Sequence, residues 1–175
     1  MNVMEIRLLD KDEYKGYALE FKYTTTHYYD VERNHEGIFS ITLVKKPFGI
    51  EIKKSFVGDL YPDYLENPSA FSLIKDGDVL GYLEVDRESW SNRLRITEIL
   101  VFDEYRRRGY GTVLINKAKE IAKVEGSREI ILETQSCNTK AIDFYMKNGF
   151  IVNGIDLSCY SNDDVEKKEV RLELV

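Results

Sequence analysis

The stretch ITEILVFDEYRRRGYGTVLINKAKEIAKVE, residues 96–125, dictates a strand, a tight turn and a helix in immediate succession. RLRITEILVF alternates as a strand that ends near Phe102. The turn then carries Arg106, Arg107, Arg108, Gly109, Tyr110 and Gly111. From about Arg108 to Glu125 the apolar residues Val113, Leu114, Ala118, Ile121 and Ala122 recur at helical spacing, which predicts an amphipathic helix. Three adjacent arginines in a chain of formal net charge −6 call for a reason. They are a solvated surface run, a nucleic-acid contact or one wall of an anion site. Backbone N–H groups at a helix N-terminus are unpaired and carry partial positive charge. Glycines at 109 and 111 let a ligand approach the main chain, and guanidinium groups add phosphate donors. The arginines are therefore read as the floor of an anion site for a phosphate or pyrophosphate, with backbone donors from Arg107 to Thr112. The spacing is neither a dinucleotide G-x-G-x-x-G nor a Walker loop.

Around this centre the chain reads as mixed α/β. Residues 4–9 form a short strand, and from Asp10 to about Tyr29 the pattern is helical, with Tyr14, Tyr17, Ala18, Phe21 and Tyr23 near one face. TTTHYYD is β-prone and leaves the end of that helix open. GIFSITLV, KKPFG and IEIKKSFV predict strand, turn and strand, and GDLYPDYLENPS predicts a loop. AFSLIKDGDVLGYLEVD predicts a hairpin turning at Lys75-Asp76-Gly77-Asp78. EIILETQ is the next strand, and NTKAIDFYMKNG a helix capped by Asn138 and stopped at Gly149. FIVNGIDLSCY and KEVRLELV supply two closing strands around an acidic turn, SNDDVEK. This order predicts one central sheet covered by helices on both faces. The 175 residues show no repeat or interdomain linker and fit one domain.

Composition narrows the function. A pI near 5.1 argues against broad binding of nucleic acid and suits a cationic small-molecule partner. No segment approaches the ~18 apolar residues of a membrane span, and the start MNVMEIRLLDKDEYKG shows no signal peptide. Two cysteines, Cys137 and Cys159, make neither a disulfide framework nor a metal site, so a reducing cytoplasm is expected.

The pattern Arg106-x-x-Gly109-x-Gly111 resembles the R/Q-x-x-G-x-G/A signature of the GNAT family of N-acetyltransferases. ITEILV stands where that family places its acyl-CoA-binding strand, and NTKAIDFYMKNGF resembles the family's N…A…FY-x-x-x-GF helix. The resemblance covers roughly residues 70–160. Within it, LETQ…N…A…FY…GF, continuing to Tyr160, is similar to the streptothricin acetyltransferases. It implies a central, mostly antiparallel twisted sheet of about six to seven strands. It also implies acetyl-CoA as cosubstrate and a small cationic amine as acceptor. A homodimer through a sheet edge is expected by analogy alone.

The implied reaction is direct attack of an amine on the thioester carbonyl. Leu100 and Val101 at the strand end would pair with the pantetheine arm, and the Val101 amide would face the thioester oxygen as a single oxyanion donor. Asn138 is a polar contact to the cofactor arm, a helix cap, or both. Tyr145 is read as the general acid for the departing thiolate, against the alternative of a core tyrosine. Deprotonating a lysine-like amine at pH 7 costs about 4.6 kcal/mol, and Glu98 is the carboxylate best placed as base or as substrate anchor. The related strand in the streptothricin subgroup looks like IEDI, whereas Thr97-Glu98 keeps only the second acid. Glu133 reads as a strand-face carboxylate with a structural partner. His27 and His35 read as structural or exposed, and Cys137 as packing, because direct transfer needs no nucleophile. The loops HYYDVERNHE and GDLYPDYLENP are expected to wall the acceptor site with acids and rings. Two other functions compete: acetylation of protein N-termini or lysines, and a non-catalytic CoA-binding module.

Overall fold

The computed structural model describes residues 4–175. Nine strands alternate with four helices: β1 (Met4–Leu8), α1 (Lys11–Tyr14), β2 (Ala18–Asn34), β3 (Ser40–Asp59), β4 (Pro68–Lys75), β5 (Asp78–Glu88), β6 (Arg93–Val101), α2 (Tyr110–Glu125), β7 (Glu129–Gln135), α3 (Thr139–Lys147), β8 (Val152–Asp156), α4 (Asp164–Lys167) and β9 (Arg171–Leu174). Seven of the strands form a sheet in the order β1-β4-β5-β6-β7-β9-β8, while β2 and β3 form a separate ribbon. The expected mixed α/β fold with a mostly antiparallel sheet flanked by helices is present; only β6 and β7 pair in parallel among the registers from β1 through β7. The chain divides into two compact units, one running through Phe21 and from Phe56 to Leu132, the other comprising Lys22–Ser55 and Glu133–Val175.

In the first unit, the β4–β5 hairpin turns at Asp76 and Gly77, with φ of 53° and 93°. Both central residues are left-handed, as a two-residue hairpin loop demands. Helix α2 lies on β5 and β6 through Leu114, Ile115, Ala118 and Ala122, all buried. The other face of these strands packs a cluster of Leu9, Leu19, Leu60, Tyr61, Ala70, Tyr82 and Leu100. Each fully buried leucine contributes about 1.5–3 kcal/mol relative to exposure.

In the second unit, Asp30 on β2 accepts hydrogen bonds from Lys46 on β3 (2.8 Å) and from Lys168 after α4 (2.8 Å). Ser136 N–H donates to the Val170 carbonyl (2.8 Å) and Tyr29 N–H to the Ser136 carbonyl (2.9 Å). These bonds join the end of β7 to segments distant in sequence.

Two expected elements are replaced. The helix expected from Asp10 to about Tyr29 is a single turn, α1, capped by Asp10 and ended at Gly16 (φ 75°), followed by β2. In the first half of β2, Leu19, Phe21, Tyr23 and Thr25 are less exposed than Ala18, Glu20, Lys22 and Thr26, a period of two that outweighs the looser spacing of the tyrosines. The turn expected at KKPFG is absent, and β3 runs through Pro47 and Gly49 (φ 78°). Each strand of a two-stranded ribbon has a free edge, where a proline forfeits no ladder bond and a left-handed glycine forms a bulge. The acidic turn SNDDVEK contains a further helical turn, α4.

Candidate active site

The first unit places the strand end, the arginine turn and the helix start as one continuous feature. Phe102 leaves β6 with its N–H on the Leu80 carbonyl (3.0 Å), and Asp103–Tyr105 form a 3-10 turn. Arg106 folds back, donating from Nε to the Val101 carbonyl (3.0 Å) and pairing through Nη2 with Asp103 (2.8 Å). Its guanidinium braces the turn against the strand that carries Leu100 and Val101. Arg107 is left-handed (φ 62°) and Gly109, the N-cap of α2, is too (φ 85°). Arg108 lies over the Tyr105 ring (6.0 Å), and Lys75 donates to the Tyr110 hydroxyl (3.3 Å). No side chain caps α2, and nothing lies within 4 Å of where a Cβ on Gly109 would project. The N–H groups of Tyr110, Gly111 and Thr112 thus open a helix whose end is accessible from outside, the geometry that accommodates a diphosphate.

Strand β6 is irregular where the chemistry was expected. Its register with β5 passes from Val85↔Ile96 to Glu84↔Glu98, so Thr97 is an extra residue, a β-bulge. The parallel ladder with β7 runs over Arg93–Arg95. Opposite Val101, Gly81 meets the Leu100 carbonyl so closely that no Cβ fits. Glu98 is half-buried and its carboxyl group lies against Gly58 of β3; a Cβ there would be 2.8 Å from Glu98 Cδ. Glu84, opposite, is fully buried. Burial pushes its carboxyl above the ordinary carboxylate range, with Asp59 and Asp86 adding to the push, while bonds from Tyr61 N–H and the Thr97 hydroxyl oppose it. A chain of rings runs beside these residues: Tyr14–Tyr17 (5.5 Å), Tyr17–Tyr82 (5.6 Å) and Tyr82–Phe102 (5.9 Å), with Tyr82 opposite Leu100.

The second unit carries Asn138 and Tyr145. Asn138 Oδ1 accepts the Ala141 N–H (3.3 Å), so it caps α3 as expected. Tyr145 is 8% exposed on the face shared with Thr139 and Ile142, its ring 5.3 Å from Phe144 and 6.1 Å from Phe150. Glu133 pairs with Arg171 (3.3 Å), the structural partner expected of it. Cys137 is buried with Tyr23 Oη at 3.4 Å, and burial pushes its thiol up, away from the thiolate. His27 and His35 are exposed, on Thr26 Oγ1 and beside Phe39. Among the described residues no cluster of three or more His, Cys, Asp or Glu is arranged for a metal ion, and no helix is long and apolar enough to cross a membrane.

Four acids of the two expected acceptor loops, Asp30, Glu32, Asp63 and Glu66, are engaged within the protein. Asp30 and Glu32 are held by Lys46, Asp63 by Lys15, and Glu66 accepts from Ser89 N–H. Sequence reasoning gave no role to Gly58 or Glu84, and it noted Thr97 only as a missing acid, not as a bulge residue bonded to Glu84. The bulge leaves no compositional mark, and Gly58 looks like any glycine near a strand end.

The acetyltransferase (GNAT) family model matches residues 37–150, and the chain belongs to that family. It is an acetyl-CoA-dependent N-acetyltransferase. Streptothricin acetyltransferase A of Bacillus subtilis (strain 168) is 36% identical over 97 residues; the match covers 55% of this chain and 56% of that protein's length. A solved nourseothricin acetyltransferase is 26% identical with a TM-score of 0.76, covering 98% of this chain and 96% of its own. A Bacillus anthracis str. Ames protein solved in complex with acetyl coenzyme A is 24% identical with a TM-score of 0.73, covering 98% of this chain and 95% of its own.

Proposed function

We propose that this chain acetylates a primary amine of a streptothricin-type cationic antibiotic. What carries the reading is the likeness to a nourseothricin acetyltransferase over 98% of the chain, which takes in β2, a strand that precedes the residues the family model matches. In this reading the N–H groups at the start of α2 hold the acetyl-CoA diphosphate, with Arg107 and Arg108 adding charge and Arg106 bracing the turn. Leu100 and Val101 align the pantetheine arm, and the Val101 amide faces the thioester oxygen. Asn138 fixes the start of α3 and contacts the same arm. The acceptor amine loses its proton to Glu98, directly or through one water, and its lone pair attacks the carbonyl carbon. The C–S bond breaks, Tyr145 donates its phenolic proton to the leaving thiolate, and the extra proton on the new amide nitrogen passes through water to the Tyr145 phenolate. Glu98 also attracts the ammonium form, which binds the acceptor but opposes its deprotonation.

Thiol release from acetyl-CoA, followed with streptothricin, aminoglycosides, polyamines and peptides, tests this. Turnover with streptothricin is expected. Turnover confined to peptides would make the chain a protein-directed acetyltransferase, and CoA binding with no turnover on any amine would make it a binding module.

A further inference from the structure

Strand β6 changes face in mid-course. Without a bulge, side chains two apart point the same way, so Glu98 would follow Ile96. Ile96 is buried opposite Val85, on the α2 side of the sheet. Because Thr97 is inserted, Glu98 stands opposite Glu84 and Leu100 opposite Tyr82, on the side of the Leu60–Tyr61 cluster. A one-residue slip here would carry the Glu98 carboxylate to the wrong side of the sheet.

The bulge is pinned by a single buried group. Thr97 Oγ1 donates to Glu84 Oε2 (2.7 Å), and Tyr61 N–H donates to Glu84 Oε1 (2.5 Å). Glu84 is 0% exposed, so these bonds compensate a carboxyl group removed from water. Tyr61 itself is left-handed (φ 56°), with its hydroxyl on the Leu9 carbonyl (2.7 Å) and accepting from Ala70 N–H (2.9 Å). Glu84 therefore ties the inserted residue to the loop that follows Gly58, the glycine against which Glu98 rests.

We propose that Glu84 is a positioning residue for acetyl transfer: through the Thr97 hydroxyl it holds the β6 bulge that turns Glu98 to the Gly58 side of the sheet. The inference rests on Glu98 acting in proton transfer as read above. Glu84 touches no substrate in this scheme and acts only through Thr97 and Glu98.

The test compares Thr97→Val, which removes the hydroxyl and keeps the β-branched shape, with Thr97→Ser, which keeps the hydroxyl. Crystal structures of both variants and steady-state kinetics over pH 6–9 are collected with acetyl-CoA and streptothricin. In Thr97→Val, the Glu98 carboxylate is expected to leave Gly58. kcat should fall about tenfold, and the acid limb of the kcat/KM profile should move. The KM for acetyl-CoA should stay within about twofold, and Thr97→Ser should recover most of the rate. A loss of packing alone would lower the melting temperature without moving the pH profile. Glu98 unmoved in the Thr97→Val crystal, or wild-type kcat in that variant, overturns the inference while the acetyltransferase reading stands. A wild-type enzyme inactive on every amine overturns that reading and, with it, the catalytic half of the inference.

Discussion

Gly58 and Glu98 compete for one volume: the position a Cβ would take on Gly58 lies 2.8 Å from Cδ and 3.0 Å from Oε2 of Glu98. Only a residue without a side chain leaves the carboxyl group where it is. Gly58 is not in the left-handed region, so alanine fits its backbone and shortens the unfolded chain's list of conformations. Gly58→Ala is therefore expected to leave the melting temperature within a few degrees of wild type. It should also lower kcat about tenfold, close to 1.4 kcal/mol, by displacing the carboxylate. Thermal unfolding and steady-state rates on the same preparation check it. An unaltered kcat would show that the position of Glu98 does not matter to the reaction.

Gly109 makes the opposite case. Its φ of 85° is one that a Cβ-bearing residue adopts at a cost of about 1–2 kcal/mol, although the space around it is open. Gly109→Ala should thus destabilise the protein through its backbone and not through a clash. Because the same residue sets the direction of the first N–H groups of α2, coenzyme A affinity should fall about tenfold. Calorimetric titration with coenzyme A checks this, and unchanged affinity would remove the helix start from the cofactor site.

How much of this was readable beforehand follows from where each signal lives. The arginine–glycine turn, α2 and α3 are local: amphipathic spacing, Asn138 and Gly149 mark them without knowledge of the rest. The β4–β5 hairpin is equally local in Asp76-Gly77. The ribbon is not. Tyr14, Tyr17 and Phe21 fall at helical intervals by accident, and only the two-residue period of Leu19, Phe21, Tyr23 and Thr25 reveals β2. Arg106 was read as a phosphate donor, yet its bond to the Val101 carbonyl depends on a fold-back that no linear spacing encodes. The Glu84–Thr97 bond joins residues thirteen apart on paired strands, and the register that brings them together is a property of the sheet.

Tyr145 separates a chemical role from a packing role. Its ring is buried between Phe144 and Phe150, contacts that phenylalanine reproduces without its hydroxyl. Tyr145→Phe should keep the fold and the acetyl-CoA dissociation constant within about twofold, while kcat falls roughly a hundredfold, as expected for loss of a general acid. Rates with acetyl-CoA and streptothricin, paired with calorimetric binding, decide it. Full turnover in the variant would leave Tyr145 as a core residue.

Asp30 links the second unit's stability to pH. Hydrogen bonds from Lys168 and Lys46 hold its carboxyl below the ordinary range, the Lys168 bond contributing most. A carboxyl held low when folded binds its proton more readily in the unfolded chain. Its contribution is therefore complete above the unfolded value of ~3.9 and disappears as pH falls through the folded one. The Asp30 side chain is 18% exposed, which tempers its pairing with the two lysines to about 1 kcal/mol at pH 7. Asp30→Asn should show that deficit in urea unfolding at pH 7, and the gap to wild type should shrink as pH drops below ~4. A gap that stays constant from neutral to acid pH would mean the lysines hold Asp30 no better than water does.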